Sequence, residues 1–414
     1  MYDQSTALPV PPGSIPDPID LASADHLRWV RDAAESLESA SGVSDIRARI
    51  ATPETAASPV ASRLALKLAL SRLLLQAVRE PVHLSVVFAV YRENIRILTR
   101  DEHPHGEDFV RRKLDQLRWL FGPTPQHSWD LTIVDDGCPE NSGRLARRVL
   151  DDYAASDETR VLFLEDAIRE GLPVASRLTS VDDSRKGGAI RYGLWHATRE
   201  ARPGNHVALF TDADLSTHLA QAGLLVRPLT EEGTNASIGS RREPESVVVK
   251  ESGRDARGRL FIYLWKRLLP QLGGIVDTQC GFKAFRASHL RTWIEGTSEN
   301  GFAFDIEYLL RVRLSGPDSI TRVPVAWIDS TAESTTTDLE PYLPMLRAIV
   351  GMYRGYLPES VEAERFAELI EALDRDSFRR LLERIPDEIA SREPRQFDAF
   401  AQVSAAELAN LAGA

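Results

Sequence analysis

Two cysteines, Cys138 and Cys280, are all that this chain of 414 residues contains. That scarcity excludes a disulfide framework and a cysteine-rich zinc site, and it fits a reducing cytoplasm. Positive charge is also short: 50 Lys and Arg stand against 61 Asp and Glu, a formal charge of −11. General nucleic-acid binding needs a basic face to displace counterions, so that class is set aside, although a local basic pocket is not. No run of about 18 apolar residues occurs, and no basic start leads into an apolar stretch with a cleavage site. A soluble protein is expected. The nearest approach to a membrane segment is Leu64 to Val78, LALKLALSRLLLQAV, which is short and interrupted by Lys67 and Arg72. It reads as a helix packed on the core, with peripheral contact at a membrane surface as the alternative.

What is present suits one core domain with appended segments, since the length exceeds a single compact domain. Residues 1–20 are rich in proline and read as a flexible arm, and 21–80 as a helical segment with a Pro/Thr/Ser-rich joint at Ala51 to Ser58. From residue 81 the pattern changes. The apolar runs Ser85 to Tyr91, Leu131 to Gly137, Val161 to Leu164 and Val207 to Phe210 are predicted buried strands. Helical patterns over Arg111 to Phe121 and from Arg185 to Ala197 lie between them. Arg322 to Trp327 is predicted as a closing strand, and the polar stretch from GSRR to Arg259 as a loop. Residues 339–414 read as a C-terminal helical extension, and the terminal helices could join two copies of the chain. The alternation predicts an α/β sheet, mostly parallel, between layers of helices over 81–338.

The stretch VALFTDADLST, Val207 to Thr217, organises the rest. A buried strand ends abruptly in Asp212, Ala213 and Asp214, which places two carboxylates at the edge where parallel sheets bind ligands. Such carboxylates repel unless a cation offsets them, and Mg2+ or Mn2+ shared with a diphosphate suits hard oxygen donors. A solvated loop is the plain alternative. His218 lies one turn further on and is a third candidate ligand, against an ordinary surface histidine. Leu131 to Gly137 ends in a second acidic pair, Asp135 and Asp136, able to accept from a uracil imide or a ribose hydroxyl, or else to cap a helix. Arg185 and Lys186 precede Gly187 and Gly188, where backbone N–H groups and a helix start favour an anion.

The ordered set resembles GT-A fold glycosyltransferases of family 2: Tyr-x-Glu at Tyr91 and Glu93, Asp-Asp-Gly at Asp135, Asp-x-Asp at Asp212, and Asp-x-Glu at Asp305. GSRR, DTQCGFKAFR, FAFDIEYL and VPVAW are similar in particular to dolichyl-phosphate β-glucosyltransferases. The resemblance implies a Rossmann-like GT-A domain, a UDP-sugar donor and a divalent metal. It implies nucleotide-sugar contacts from Tyr91, Glu93, Asp135, Asp136, Arg185, Lys186, Gly187, Asp212, Ala213 and Arg241, and from Arg254 or Arg257. It places the metal on Asp212 and Asp214, and an acceptor-side base at Asp305, with Asp277 as alternate. Pairing with Arg311 or Arg313 is the structural alternative for Asp305.

Departures bear on the acceptor. Ala89 and Arg92 replace the family's usual proline and asparagine, and Ser330 to Thr337, STAESTTT, carries no Lys or Arg where the lipid-phosphate enzymes hold a basic residue. A membrane anchor usual in those enzymes is also missing from the pattern. The expected function is an inverting, metal-dependent transfer of a hexose, glucose first, to a soluble hydroxyl or a polyprenyl phosphate. Two other classes stay open. A haloacid-dehalogenase-type phosphatase would use Asp212 as nucleophile, and a non-catalytic protein would bind the sugar nucleotide without turnover.

Overall fold

The apolar runs become strands because helices cover both faces of the sheet they build. The structure, a computed structural model, describes residues 14–153, 158–250, 255–329, 342–397 and 403–413. Its strands are β1 (Val82–Val90), β2 (Ser128–Asp135), β3 (Thr159–Phe163), β4 (Asn205–Thr211), β5 (Ala236–Ser240), β6 (Val247–Val249), β7 (Phe282–Arg286), β8 (Ile320–Pro324) and β9 (Ala326–Ile328). Seven form one sheet in the order β3-β2-β1-β4-β7-β5-β8, and β6 pairs with β9 in a second. Neighbours in the large sheet are parallel except β7, which is antiparallel to β4 and β5. This is the helix-flanked, mostly parallel α/β architecture expected. Strand order reverses between β1 and β4, and a crevice forms past the carboxyl ends of strands at such a point.

Two expectations are corrected here. Arg322 to Trp327 is not one strand: β8 ends at Pro324, which has no N–H to donate, and β9 starts at Ala326 in the other sheet. Val325 makes the transfer, donating to the Ser240 carbonyl at 3.3 Å and accepting from the Val247 N–H at 3.0 Å. The polar stretch after GSRR is not all loop either, since it contains β6 and the helix Asp255–Leu268 begins before Leu260. The joint at Ala51 to Ser58 holds a short helix, Pro53–Ala56, started by the Thr52 hydroxyl accepting from the Thr55 N–H.

The chain packs into two units. The first comprises Met1–Lys250, Cys280–Gly296 and Asp318–Ala332, and the second Glu251–Gln279, Thr297–Pro317 and Glu333–Ala414. In the first, the helix Val60–Ala77 buries Leu64, Leu66, Leu68 and Leu75 completely, which makes it a core helix. Among the described residues no helix is long and apolar enough to cross a membrane. The Ser71 hydroxyl donates to the Ala220 carbonyl at 2.6 Å, and a Cβ at Gly223 would collide with the Ser71 carbonyl oxygen. Gly223→Ala is therefore expected to lower stability by about 1–3 kcal/mol, read from a denaturant midpoint. An unchanged midpoint would show that the helices Val60–Ala77 and Ala222–Glu231 have room to part.

In the second unit the helix Asp255–Leu268 is the hub. Tyr263 donates to the Val403 carbonyl and Arg267 to the Phe397 carbonyl, both at 2.7 Å. The C-terminal helices thus pack on a segment far upstream in sequence.

Candidate active site

Three turns at the carboxyl edge of the large sheet belong to the first unit, and their carboxylates serve different ends. Both Asp135 oxygens accept backbone amides, from Cys138 at 2.8 Å and Gly143 at 2.7 Å. Asp135 therefore helps start the helix Ser142–Asp152, the capping role the sequence offered beside the nucleotide contact. Asp136 is 6% exposed, and its Oδ2 accepts the Lys186 N–H at 2.7 Å. Its Oδ1 has no hydrogen-bond partner among the described residues. Burial, with the Asp135 charge beside it, pushes the Asp136 carboxyl up to about 6 against the pull of the Ser184 hydroxyl and the Lys186 amide.

Lys186 ties two strand ends together. Its backbone sits in the left-handed region at φ 74°, a conformation that costs a non-glycine residue about 1 kcal/mol or more. While its N–H holds Asp136, its ammonium forms an ion pair with Asp212 Oδ1. The helix Gly187–Thr198 begins at the next residue. Asp212 N–H donates to the Gly281 carbonyl at 3.0 Å, which docks the end of β4 against the entry to β7. Burial alone would raise the Asp212 carboxyl, but Lys186, Lys283 and Arg241 outweigh it and hold it below the usual carboxylate range. Arg241, after β5, stacks over Trp327 with its guanidinium 5.3 Å from the ring centre. Ala213 is buried between the two aspartates.

Asp214 is held more loosely. Its Oδ1 accepts from the Ser216 N–H at 3.1 Å and hydroxyl at 2.6 Å, and Arg96 lies 3.8 Å from Oδ2. Arg96 forms a two-pronged pair with Glu93 at 2.6 and 2.7 Å, so Glu93 is already engaged. Tyr91 is 43% exposed, with Arg92 over its ring at 5.5 Å. Arg185 turns its guanidinium onto the carbonyls of Asp182 and Ser184 at 3.0 and 2.9 Å, which stabilises the turn. His218 is corrected: its Nδ1 accepts the Ala220 N–H at 3.3 Å as the cap of a short 3-10 turn, and burial, reinforced by Lys113, pushes its pKa down to about 3. A buried cap is a different use from the third metal ligand expected. Arg254 lies outside the described residues, as does Ser330 to Thr337.

The two proposed bases belong to the second unit. Asp305 occupies the first turn of the helix Phe304–Arg313, is 5% exposed, and accepts from Gln279 Nε2 at 2.5 Å. Asp277 is 4% exposed, two residues before Gln279. Arg311 stacks on Tyr356 at 5.2 Å. Glu307 accepts the backbone N–H groups of Ser298 and Glu299 and the Tyr356 hydroxyl, a structural carboxylate that completes the Asp-x-Glu pattern.

No family model matches the chain. The dolichyl-phosphate β-glucosyltransferase of Saccharomyces cerevisiae is 23% identical over 263 residues, covering 60% of this chain and 67% of the yeast protein. The human enzyme of that name is 26% identical over 253 residues, 59% of this chain and 67% of its own length. The chain is a sequence relative of the dolichyl-phosphate β-glucosyltransferases. Glycosyltransferase AglD of Haloferax volcanii is 27% identical over 199 residues, 45% of this chain, but the match spans only 30% of AglD's own length. The glucosyl-3-phosphoglycerate synthase of Mycobacterium tuberculosis, solved with Mn2+, UDP and phosphoglyceric acid, superposes with a TM-score of 0.45 at 18% identity, covering 71% of this chain and 84% of that one.

Three cations of this glucosyltransferase relative escaped the sequence reading. Arg96 follows Glu93 at helical i,i+3 spacing, a legible signal. Lys113 is fully buried, forms no hydrogen bond among the described residues, and is pushed down to about 8 by burial against the pull of Asp214 and Asp212. It stands on the apolar face of the helix Phe109–Phe121, where a charge breaks the pattern. Lys283 lies within β7, fully buried, donating to the Cys280 carbonyl at 2.6 Å.

Proposed function

We propose that this chain is an inverting glycosyltransferase that moves a hexose, glucose first, from a UDP-sugar to an acceptor hydroxyl or lipid phosphate. The observation that carries the reading is the convergence of Asp136, Lys186, Asp212 and Asp214 at one sheet edge from three separate stretches of sequence. Relationship to enzymes named as glucosyltransferases supports the donor class.

The donor set at this edge suits Mg2+ or Mn2+. Among the described residues no group of three or more His, Cys, Asp or Glu could hold a metal by itself. Two hard carboxylates completed by phosphate oxygens are the usual surroundings of Mg2+ at a nucleotide. Asp212 and Asp214 would hold that ion, which when bound supplies positive charge to the diphosphate leaving group. Lys186 and Arg241 add fixed positive charge to the same edge, where negative charge grows as the sugar departs. An alcohol acceptor would need a base, and the family resemblance offers Asp305, or Asp277, for that role. A phosphate acceptor is already ionised and needs neither. Full activity in Asp305→Asn would therefore point to a phosphate acceptor or to Asp277.

Asp136, whose Oδ1 has no hydrogen-bond partner among the described residues, accepts a hydrogen bond from the uracil imide N–H. The folded protein binds the Asp136 proton more tightly than the unfolded chain does. Its contribution to stability is therefore greatest in acid and is lost as pH rises through about 6. Nucleotide binding runs the other way, because accepting from the imide needs the ionised form. UDP affinity measured by calorimetry is expected to be flat above that pH and to weaken toward roughly tenfold per pH unit below it. Asp136→Asn should be weak throughout, with no inflection; an unchanged profile in the variant would remove Asp136 from the site. The overall test is release of UDP from UDP-glucose with Mn2+ and candidate acceptors, with mass spectrometry to find an acceptor that gains one hexose. Binding of UDP-glucose without turnover across those acceptors would leave a binding protein.

A further inference from the structure

Within the second unit, the C-terminal extension reaches the region of Asp305 through one side chain. Tyr356, the last residue of the helix Tyr342–Tyr356, donates its hydroxyl to Glu307. Glu307 is fully buried, and the same carboxylate accepts the Ser298 N–H at 2.9 and 3.0 Å, the Ser298 hydroxyl at 3.2 Å and the Glu299 N–H at 2.8 Å. The turn at Ser298, the start of the helix Phe304–Arg313 and a side chain 49 residues beyond Glu307 thus meet on one charge. A carboxylate at that depth is held only where donors surround it, so these three parts cannot separate without leaving it unpaired. Burial, and after it the Glu307 carboxylate, push the Tyr356 hydroxyl up to about 12, which keeps it a donor throughout the neutral range.

The Tyr356 ring is gripped as well. Arg311 lies over it at 5.2 Å, and Glu307 and Arg311 are i,i+4 neighbours on one face of the helix Phe304–Arg313. Asp305 stands about 200° away from Glu307 around that helix, at about 100° per residue, and there it accepts from Gln279. The first turn is therefore clamped from opposite sides, by Gln279 at Asp305 and by Tyr356 at Glu307. With one clamp loosened the turn can roll, and a roll moves Asp305.

We propose that Tyr356 is a positioning residue for sugar transfer: by holding Glu307 it fixes the first turn of the helix Phe304–Arg313, and with it the place of Asp305 against an acceptor hydroxyl. The inference rests on the reading of Asp305 as the acceptor-side base. It makes the C-terminal extension, which follows the α/β domain in sequence, a working part of the transferase.

Tyr356→Phe tests the role, because it removes the hydroxyl and keeps the ring beneath Arg311, so the fold is expected to persist. Hydrogen exchange read by mass spectrometry should show the amides of 297–306 exchanging about fivefold faster, with the rest of the chain as in the parent. With UDP-glucose, Mn2+ and an acceptor found by its gain of one hexose, kcat should fall about tenfold while UDP affinity and stoichiometry keep their parent values. Arg354→Ala, which breaks the exposed pairs with Glu364 and Glu371 from the same helix as Tyr356, should change none of these. Unchanged exchange, a kcat equal to the parent's or an equal loss in Arg354→Ala overturns the proposal. So does a UDP stoichiometry that falls in step with kcat, since that is loss of folded protein rather than of position. A parent protein that transfers sugar to no acceptor ends the transferase reading and this role with it, and that failure is recognised before any variant is made.

Discussion

Asp212→Asn combined with Asp214→Asn is expected to abolish sugar transfer, a fall of roughly a thousandfold or more in kcat, while the fold persists. An amide keeps the shape of the carboxylate but carries no charge, so it neither binds a hard cation well nor offsets Lys186. Removing one preorganised charge contact from a transition state costs on the order of 10²–10³ in rate, and here two go together. The effect on UDP affinity separates the readings. If the pair holds a metal at the diphosphate, Mn2+ tightens UDP binding in the parent protein and not in the double variant. If Asp212 is instead a phosphatase nucleophile, the parent forms a covalent aspartyl phosphate, and Mn2+ need not change UDP affinity. Double variants that transfer sugar at the parent rate would end the proposal for this edge.

Gly281→Ala is expected to cost about a hundredfold in activity without altering a single charge. A Cβ built at Gly281 falls inside van der Waals contact with both carboxylate oxygens of Asp212. Gly281 does not lie in the left-handed region, so alanine suits its backbone and the collision is the whole effect. The Asp212 carboxylate must shift to clear the added methyl, which disturbs its ion pair with Lys186 and its place beside Arg241. Misplacement by about 1 Å is enough for a loss of this size. Stability should fall by only about 1–3 kcal/mol, as for other small overpacking changes. A Gly281→Ala protein with parent kcat would show that Asp212 is not held where the reaction needs it. The comparison with the double amide variant separates position from charge.

The strands were legible because burial on both faces demands unbroken apolar runs, and Ser85 to Tyr91 and Val207 to Phe210 are such runs. Asp136, Lys186, Asp212 and Asp214 were legible as candidates because each follows a strand or opens a helix, where ligand chemistry collects. β6 was not, and β9 ran together with β8, since three-residue strands carry too little pattern to stand apart. The division of labour between Asp135 and Asp136 was not legible either. Adjacent carboxylates look alike in sequence, and only the path of the chain gives both Asp135 oxygens to backbone amides and leaves Asp136 Oδ1 free of hydrogen bonds among the described residues.

The residue pattern by itself determined the α/β class, the order of the acidic strand ends and the basic, glycine-bearing turn at Lys186, because these follow from local periodicity and local chemistry. Only the tertiary structure decided that Lys186 joins Asp136 to Asp212 and that His218 caps a buried turn. Those outcomes depend on how residues tens of positions or more apart are packed, and side-chain spacing along a chain contains no record of which distant groups a sheet will bring within a few ångströms.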